Sequence, residues 1–389
     1  MPLHIHLNDL AERLQIFSQE PLIKRVNSQL QPGENPGESI LTVEVSEKIP
    51  YSIDLNINNH RSPSIGAYQS ELRLAHNNLF GRADSLVANY NVTDGLDDYG
   101  LAYSLPFNSY MTAIEFNYSR AESDVVEDPF DTLDISSRQK NYAIGLRQPI
   151  VNSTRKSLNM SVFFEMRESD TYLFNRPFSF SAGADNGKTK VTVIRYILDW
   201  KKQLLGEVFA IRSSISKGLG AFRPTQHREA PDSHFFHWLG QFQWAKRFGE
   251  SNNEMIFRTD FQRASRTLLA LEKFSIGGHA SVRGYREGEI VRDSGVTSSV
   301  ELRYPIFHDD SIGSLLQLAI FSDWGRGWNS GRVNAEAKNI ASIGTGLRWN
   351  PMRSWYLELY GAIPLNHVEQ DKEDIQDYGF HFQVNYKAL

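Results

Sequence analysis

The sequence predicts an all-β protein, a transmembrane barrel of about 16 antiparallel strands. From Pro50 onward, apolar and polar residues alternate with a period of two, which is typical of strands with two different faces. Beyond the first few, the connections between these runs are alternately short and long, as in barrels whose two ends differ in loop length. No window of about 18 consecutive apolar residues indicates a transmembrane helix.

Residues 1–49 follow a different pattern. The first apolar residues recur at helical spacing: Leu7, Leu10, Leu14 and Phe17. Two strand-like runs follow, at 22–30 and 39–47. One helix and one hairpin are too little to bury a core alone, so we predict that 1–49 form the C-terminal part of a small α+β domain. An even number of strands brings both chain ends to the short-turn side, which places this part in the periplasm.

The barrel is predicted to occupy residues 50–389. Its strands are expected around 53–57, 68–77, 86–92, 99–105, 114–118, 142–146, 158–166, 194–200, 206–217, 238–244, 255–261, 300–304, 316–320, 343–349, 355–359 and 380–386. The short connections are 78–82, 107–109, 151–154, 202–205, 250–252, 307–312 and 350–352. The long connections cover about 121–138, 169–188, 218–233, 266–293, 325–339 and 363–377. A soluble sandwich gives no reason for this sorting, which favours a barrel with long extracellular loops.

The composition argues against several other functions. The net charge of −5 is nearly balanced, so there is no electrostatic reason to expect a nucleic acid partner. The chain has no cysteine, which removes disulfides and thiolate metal sites. We find neither a nucleophile-elbow motif nor an H-E-x-x-H motif, so no enzyme is indicated and no cofactor is expected.

The histidines do not predict a metal site. His4 and His6 lie close to the N-terminus, where a spacing of two residues carries little information. His227, His234 and His237 lie at a loop–strand junction, and we expect no carboxylate or fourth ligand around them. Solvated interface histidines are therefore the better interpretation of this group.

The stretch Ser275–Arg286 interrupts the alternating pattern. Three glycines in it permit positive φ angles and close backbone approach: Gly277, Gly278 and Gly284. The run 266–283 can extend about 55 Å at roughly 3.3 Å per residue, whereas the hydrocarbon core is about 30 Å thick. The loop 266–293 is therefore long enough to fold back into the lumen and to bring Arg283 there.

Strand parity predicts what Arg283 meets in the lumen. On the strand around Leu316, the residues expected to face inward are Gln317, Phe321, Asp323 and Gly325. On the following strand they are Ser342, Gly344, Gly346 and Arg348. On the preceding strand they are Ser299, Glu301 and Arg303. Asp323 and Glu301 are thus two candidate partners for Arg283. Gly344 and Gly346 are expected to leave room for another backbone. We expect a water-filled lumen to screen the ion pair, so that removing it costs about 1 kcal/mol.

These residues resemble a known superfamily. Val282-Arg283-Gly284-Tyr285, preceded by Gly277-Gly278, is similar to the lid-loop signature of the BamA/TpsB outer-membrane superfamily. Phe321-Ser322-Asp323-Trp324-Gly325 matches its second signature, F-x-D-x-G. Two further stretches resemble TpsB transporters in particular: the first hairpin, at Asn59–Gly66 with Asn77–Gly81, and the end of the last POTRA domain, at Pro32–Ser39. The resemblance implies that the lid-loop arginine, Arg283, pairs with Asp323.

The chain departs from the TpsB pattern at both ends. TpsB proteins carry a signal peptide, a plug helix and two POTRA domains before the barrel, whereas residues 1–49 match only the last helix and hairpin of the second POTRA domain. The final residue is Leu389 rather than an aromatic one. We expect the sequence to be a fragment or to come from a mis-started reading frame; the alternative is that the protein has lost its substrate-recognition module.

The resemblance implies an outer-membrane translocator of two-partner secretion of the ShlB/FhaC/HecB type. Such a protein moves one large exoprotein, of the hemolysin or adhesin type, from the periplasm to the cell surface. The alternatives are a BamA-like assembly factor, which normally needs several POTRA repeats, and a passive porin, which needs no V-R-G-Y loop.

Further expected partners are outer-membrane lipid, lipopolysaccharide and, during biogenesis, the barrel assembly machinery. The protein is expected to be a monomer. The acidic loops Glu122–Asp134 and Glu369–Asp377 are interpreted as a solvated extracellular rim or as binders of divalent cations at the lipopolysaccharide surface.

Overall fold

The computed structural model describes residues 7–20, 22–35, 37–227, 231–249, 253–330, 337–368 and 373–388. The N-terminal part contains helix α1 (Leu7–Ser18) and a hairpin of strands β1 (Ile23–Pro32) and β2 (Ser39–Glu47). The hairpin is antiparallel, with Leu30 opposite Leu41. The helix and both strands lie where their patterns predict them. Their assignment to a POTRA domain stays a prediction.

The remaining strands follow in chain order. They are β3 (Tyr51–Asn58), β4 (Gln69–Asn77), β5 (Ser85–Thr93), β6 (Leu96–Pro106), β7 (Ala113–Asp124), β8 (Ser136–Asn152), β9 (Lys156–Leu173), β10 (Arg176–Pro177), β11 (Lys188–Leu204), β12 (Glu207–Leu219), β13 (Phe236–Phe248), β14 (Asn253–Ala264), β15 (Phe274–Ile276), β16 (Ile290–Arg292), β17 (Ser294–Asp309), β18 (Ser314–Trp328), β19 (Lys338–Asn350), β20 (Trp355–Pro364) and β21 (Phe380–Lys387). Within the described residues, no helix is long and apolar enough to span a membrane.

Sixteen of these strands close into one antiparallel barrel. Each pairs with its sequence neighbour, and β21 pairs with β3 to close the ring, with Gln383 opposite Asn58. The two-residue strand β10 only extends the pairing of β9, and β15 pairs with β16 in a small separate sheet. The prediction of a barrel of about 16 antiparallel strands is confirmed for the described part of the chain.

The period of two in the sequence becomes two surfaces in the structure. Apolar side chains at alternate positions remain on the outside of the barrel, where they are well exposed; examples are Leu101, Ile144, Ile320 and Leu347. The intervening positions face the lumen and are mostly polar or small. An apolar outer surface of this extent is unfavourable in contact with water, whereas it suits the hydrocarbon of a bilayer.

The connections also differ between the two ends of the barrel. On one side they are short, such as 153–155 and 205–206, and on the other most are long, such as 220–235 and 265–293. The turn between β5 and β6, at Asp94-Gly95, is a short exception on the long side. The predicted turn 250–252 lies outside the described residues, as do His4, His6, Leu389 and parts of three predicted long loops, at 228–230, 331–336 and 369–372.

The segment 265–293, here called the lid loop, packs inside the barrel. Its apolar residues Ile276, Val282, Tyr285 and Ile290 form a buried cluster with Ile340 of β19. The glycine at position 325 of β18 makes this approach possible, because a Cβ atom there would lie 2.5 Å from Ile276 and 3.0 Å from Val282. The prediction that the loop folds into the lumen agrees with this packing.

A charge on the outer surface is expected to destabilise the barrel. Ile320 lies in the middle of β18 and faces outward, so Ile320→Lys would place an amine in hydrocarbon and cost about 2–4 kcal/mol. The matched control is Gln243→Lys, which places the same charge in the lumen, where Gln243 lines a wide cavity. The measurement is the urea midpoint of the folded barrel in lipid vesicles. Equal midpoints for the two variants would contradict the assignment of faces.

Candidate functional site in the barrel lumen

The tip of the lid loop has a backbone that only glycine tolerates. Gly278 and Gly284 both have φ near +91°, a left-handed conformation that residues with a side chain rarely adopt. A Cβ atom on Gly284 would lie 2.9 Å from the side chain of Ala362, and one on Gly278 would lie 2.0 Å from the carboxylate of Glu287. These constraints turn the chain so that Arg283 points at the barrel wall.

Arg283 makes a bidentate ion pair with Asp323 of β18. Its Nε donates to Oδ2 at 2.8 Å, and its Nη2 donates to Oδ1 at 2.9 Å. The backbone N–H of Arg283 also donates to Oδ2, at 3.1 Å. Two parallel N–H···O bonds define the orientation of the guanidinium as well as its position. Asp323 therefore holds both the side chain and the backbone of the loop at this point.

Glu301 of β17 is a second partner of the same guanidinium. Arg283 Nη1 donates to Glu301 Oε2, and Nη2 donates to the hydroxyl of Ser299 at 3.2 Å. The other carboxylate oxygen of Glu301 accepts a hydrogen bond from Arg303 Nε at 2.6 Å. The sequence left Asp323 and Glu301 as alternatives, whereas the structure brings both to Arg283.

Two aromatic rings enclose the guanidinium. The central carbon of Arg283 lies 3.4 Å from the ring centroid of Phe321 and 4.8 Å from that of Tyr360. Cations are attracted to the faces of such rings, and more strongly where water is excluded. Phe321 of the F-x-D-x-G motif thus contacts the arginine directly.

Gly344 and Gly346 do not accommodate the backbone of the lid loop. A Cβ atom on Gly344 would lie 2.4 Å from the ring of Phe321, and one on Gly346 would lie 2.2 Å from the ring of Tyr360. Both positions face the lumen as predicted, and these rings share the space with the backbone of β20: a Cβ atom on Gly344 would also lie 2.4 Å from the carbonyl oxygen of Gly361, and one on Gly346 would lie 2.9 Å from that of Leu359. The backbone that the glycines admit is therefore that of the neighbouring strand.

The expectation of a water-screened pair is wrong. The side chain of Arg283 is 7% exposed, and those of Glu301 and Asp323 are 5% and 1% exposed. The lid loop and the two rings cover the charges. Removing one partner of such a buried network leaves an uncompensated charge and costs about 3–5 kcal/mol, rather than the roughly 1 kcal/mol of a solvated pair.

The remaining motif residues flank this network. Tyr285 places its hydroxyl 2.8 Å from the carbonyl oxygen of Ala341 and accepts the N–H of Asn366 at 3.1 Å. Arg348 does not contact Arg283; it donates to Glu358 Oε2 at 2.9 Å and to the hydroxyl of Tyr360 at 2.8 Å.

A second charged cluster holds the start of the lid loop. Glu272 accepts hydrogen bonds from Arg195 at 2.8 and 2.9 Å, from Arg167 at 3.0 Å and from His237 at 3.0 Å. These partners lie on β11, β9 and β13, several strands away from Asp323. Burial alone would raise the pKa of the Glu272 carboxyl, but the hydrogen bond from His237 and the charges of the two arginines outweigh burial and lower the pKa to about 2.

Sequence reasoning missed Glu272 and therefore misinterpreted His237. We expected no carboxylate near the histidines at this junction, whereas Glu272 contacts His237 and Asp185 lies 3.3 Å from His227. Glu272 ends a single 3-10 turn, Ala270–Glu272, where no alternation predicts a face, so the sequence contains no signal that would have paired it with His237.

A third charged cluster joins the lid loop to two of the long loops at the barrel rim. Arg286 lies 2.6 Å from a carboxylate oxygen of Glu127 and donates to Asp377 Oδ2 at 2.8 Å. Glu127 and Asp377 belong to the acidic loops that we interpreted as a solvated rim. For these two residues the interpretation is wrong, because their carboxylates point at an arginine of the lid loop.

Comparison with known proteins identifies the family. The family model for the haemolysin secretion/activation proteins ShlB, FhaC and HecB matches residues 37–349. The chain belongs to this family. The ShlB/FhaC/HecB family consists of secretion proteins and is not an enzyme class.

Curated relatives agree with the ShlB/FhaC/HecB assignment. The outer membrane transporter CdiB of Dickeya dadantii (strain 3937) is 20% identical over 359 residues, which cover 89% of this chain and 62% of that protein. The heme/hemopexin transporter protein HuxB of Haemophilus influenzae (strain 86-028NP) is 22% identical over 365 residues, covering 87% and 60%. The hemolysin transporter protein HpmB of Proteus mirabilis is 21% identical over 316 residues, covering 76% and 53%. The chain thus spans 53% to 62% of the length of these relatives.

Solved structures show that the fold is shared. CdiB from Escherichia coli superimposes with a TM-score of 0.80 at 18% identity, covering 96% of this chain and 69% of that one. BamA from Haemophilus ducreyi lacking POTRA domains 1-3 gives 0.65 at 13% identity, covering 98% and 78%. The outer-membrane barrel of the ShlB/FhaC/HecB family is therefore the fold of this chain.

Removing Arg283 is expected to release the tip of the lid loop. Arg283→Ala leaves Asp323 and Glu301 without their cation, which weakens the attachment by about 3–5 kcal/mol. The measurement is hydrogen exchange of peptides covering 275–286 in the folded barrel, and we expect it to become much faster. The control is Arg212→Ala, because Arg212 pairs with Asp199 in a half-exposed lumen pair and should change little. Unchanged exchange in Arg283→Ala would contradict the role of this network.

Removing the charge of Glu272 is expected to release the other end. Glu272→Gln keeps the shape but leaves Arg195 and Arg167 short of a counter-charge, so hydrogen exchange should rise in 266–276 and less in 280–286. The matched control is Glu207→Gln, since Glu207 lies beside a short turn and pairs with Lys246. Equal changes along the whole lid loop would show that the two clusters are not independent attachments.

Proposed function

We propose that this chain is the membrane-embedded part of an outer-membrane translocator, which exports a large exoprotein of the hemolysin or adhesin type from the periplasm to the cell surface. The proposal rests on one observation: a lid loop, joined to the wall by the buried ion pair of Arg283 and Asp323, fills part of the lumen of a barrel of the ShlB/FhaC/HecB family. A chain that passes through this lumen must displace that loop.

The contacts of the lid loop suit a gate that holds and then releases. Three charged clusters attach it, at Glu272, Arg283 and Arg286, and each contacts a different part of the wall or the rim. Charged hydrogen bonds are strong when water is excluded and weaken when water or a competing polar chain enters. An extended polypeptide in the lumen supplies both water and competing polar groups.

The N-terminal hairpin supports a role in capture of the exported chain. Strand β2 pairs with β1 along one edge, and its apolar residues stay exposed: Ile40, Leu41, Val43 and Val45. An extended segment of a partner can add to such a strand through main-chain hydrogen bonds. We place this POTRA-like part in the periplasm, since the chain enters the barrel from the short-turn side.

Export is favoured over the alternatives by the family match. The BamA likeness is one of fold, at 13% identity, so it does not carry an assembly function to this chain. A passive porin would not explain a loop that is attached by three charged clusters. We place the barrel in the outer membrane as a monomer, in contact with lipid and lipopolysaccharide and inserted by the barrel assembly machinery.

Secretion of a partner is the direct test. The protein is expressed in a Gram-negative host together with any large secreted-repeat protein that its genome encodes beside it. We expect the partner in the medium only when the translocator is present, and a several-fold change in its amount with Arg283→Ala or Asp323→Ala, because the lid loop is then no longer held in place. The Arg212→Ala variant is the control and should secrete normally. Normal secretion by both Arg283→Ala and Asp323→Ala would contradict the role proposed for these two residues.

A further inference from the structure

The fold brings together three potential metal ligands that lie outside the clusters around Glu272, Arg283 and Arg286. His279 lies on the loop tip, His60 lies in the loop after β3, and Glu358 faces the lumen on β20. One ligand atom from each lies within 4.8 Å of the other two, and they form the one such group in the described residues. These residues are far apart in sequence, so the fold alone assembles them.

The geometry of the group is specific. His279 Nε2 lies 2.8 Å from Glu358 Oε1. The rings of His60 and His279 are stacked, with centroids 3.8 Å apart and an angle of 10° between their planes. His60 Nε2 is buried and has no hydrogen-bond partner in the described part of the chain. A buried ring nitrogen normally finds a partner, so this one lacks the ligand or donor that its position calls for.

The donor set matches a transition metal. Two imidazoles and one carboxylate are a known ligand set for zinc, with a fourth position left for water. Bonds of 2.0–2.1 Å place the ligand atoms of a tetrahedral site about 3.4 Å apart. The present spread of up to 4.8 Å therefore requires one histidine ring to move by about 1.4 Å when the metal binds. A lumen cavity of about 540 Å³, which His279 lines, gives access to water.

The surroundings orient the carboxylate. Arg348 donates to Glu358 Oε2 at 2.9 Å, and the hydroxyl of Tyr356 contacts the same oxygen. The other oxygen, Oε1, is thus left facing the histidines. A third histidine, His381, has its ring 6.2 Å from that of His279, but its Nε2 accepts the N–H of Gly284 at 3.3 Å and so belongs to the support of the loop. Outer groups of this kind hold metal ligands in place.

We propose that His60, His279 and Glu358 form a binding site for Zn²⁺ or a similar borderline transition metal, which ties the tip of the lid loop to the loop after β3 and to β20. The site adds an attachment that the ion pairs of Arg283 do not provide, because it reaches β20 and the loop after β3, whereas those ion pairs reach β17 and β18. Binding requires only the folded barrel and does not depend on the proposed export.

The test is metal binding by the folded full chain in detergent micelles. The background variant His4→Ala/His6→Ala removes the terminal histidines, and Zn²⁺ is titrated by calorimetry and Co²⁺ by its visible absorption. We expect one Zn²⁺ per chain and a tetrahedral Co²⁺ spectrum that Zn²⁺ abolishes. His279→Gln and His60→Gln should each weaken binding by at least about tenfold, the loss that even an outer-shell change produces.

The control is His308→Ala, since His308 is exposed beside Asp310 at a short turn; it should bind as the background variant does. Heat-dependent gel migration shows whether each variant is folded, and Glu358→Gln provides a third variant if a histidine change impairs folding. Absence of stoichiometric Zn²⁺ binding, or equal binding by the background and by folded His279→Gln, would overturn the proposal.

Discussion

The position of the lid-loop tip depends on the burial of one cation. A guanidinium cannot be deprotonated, so Arg283 must carry its charge into a space from which the lid loop and two rings exclude water. Two carboxylates and the faces of Phe321 and Tyr360 compensate it. Because these groups come from β17, β18 and β20, they permit only one depth and one orientation of the loop tip.

The sequence predicts the strands of the barrel wall well and the contacts of the lid loop in the lumen poorly. Strands have a period of two, so once Leu318 and Ile320 are assigned to the lipid side, Asp323 on the same strand must face the lumen. Val300 and Leu302 predict the face of Glu301 in the same way. This reasoning has no equivalent in an irregular loop, which is why Glu272 could not be paired with His237, nor Arg286 with Asp377. Such contacts depend on where a long segment turns, and three-dimensional packing alone decides that.

Parity also cannot say what occupies the space in front of an inward-facing residue. Gly344 and Gly346 indicate a need for room, which the structure confirms, but a glycine accepts a ring as readily as a backbone. The same limit explains the error in the screening of Arg283. A lumen that is wide on average is dry at the place where the loop, Phe321 and Tyr360 pack together, and the energy of the ion pair follows the local environment.

The energies imply how such a loop can be released without ATP. If Arg283 and Glu272 are each worth about 3–5 kcal/mol, spontaneous loss of one attachment occurs in roughly one molecule in 10²–10⁴, and loss of both together is rarer than about one in 10⁴. The clusters share no residue and lie on different strands, so their energies should add. In the proposed export, an incoming chain that replaces one attachment before the next is broken never leaves both charged clusters unpaired at once, so stepwise release costs less free energy than concerted release.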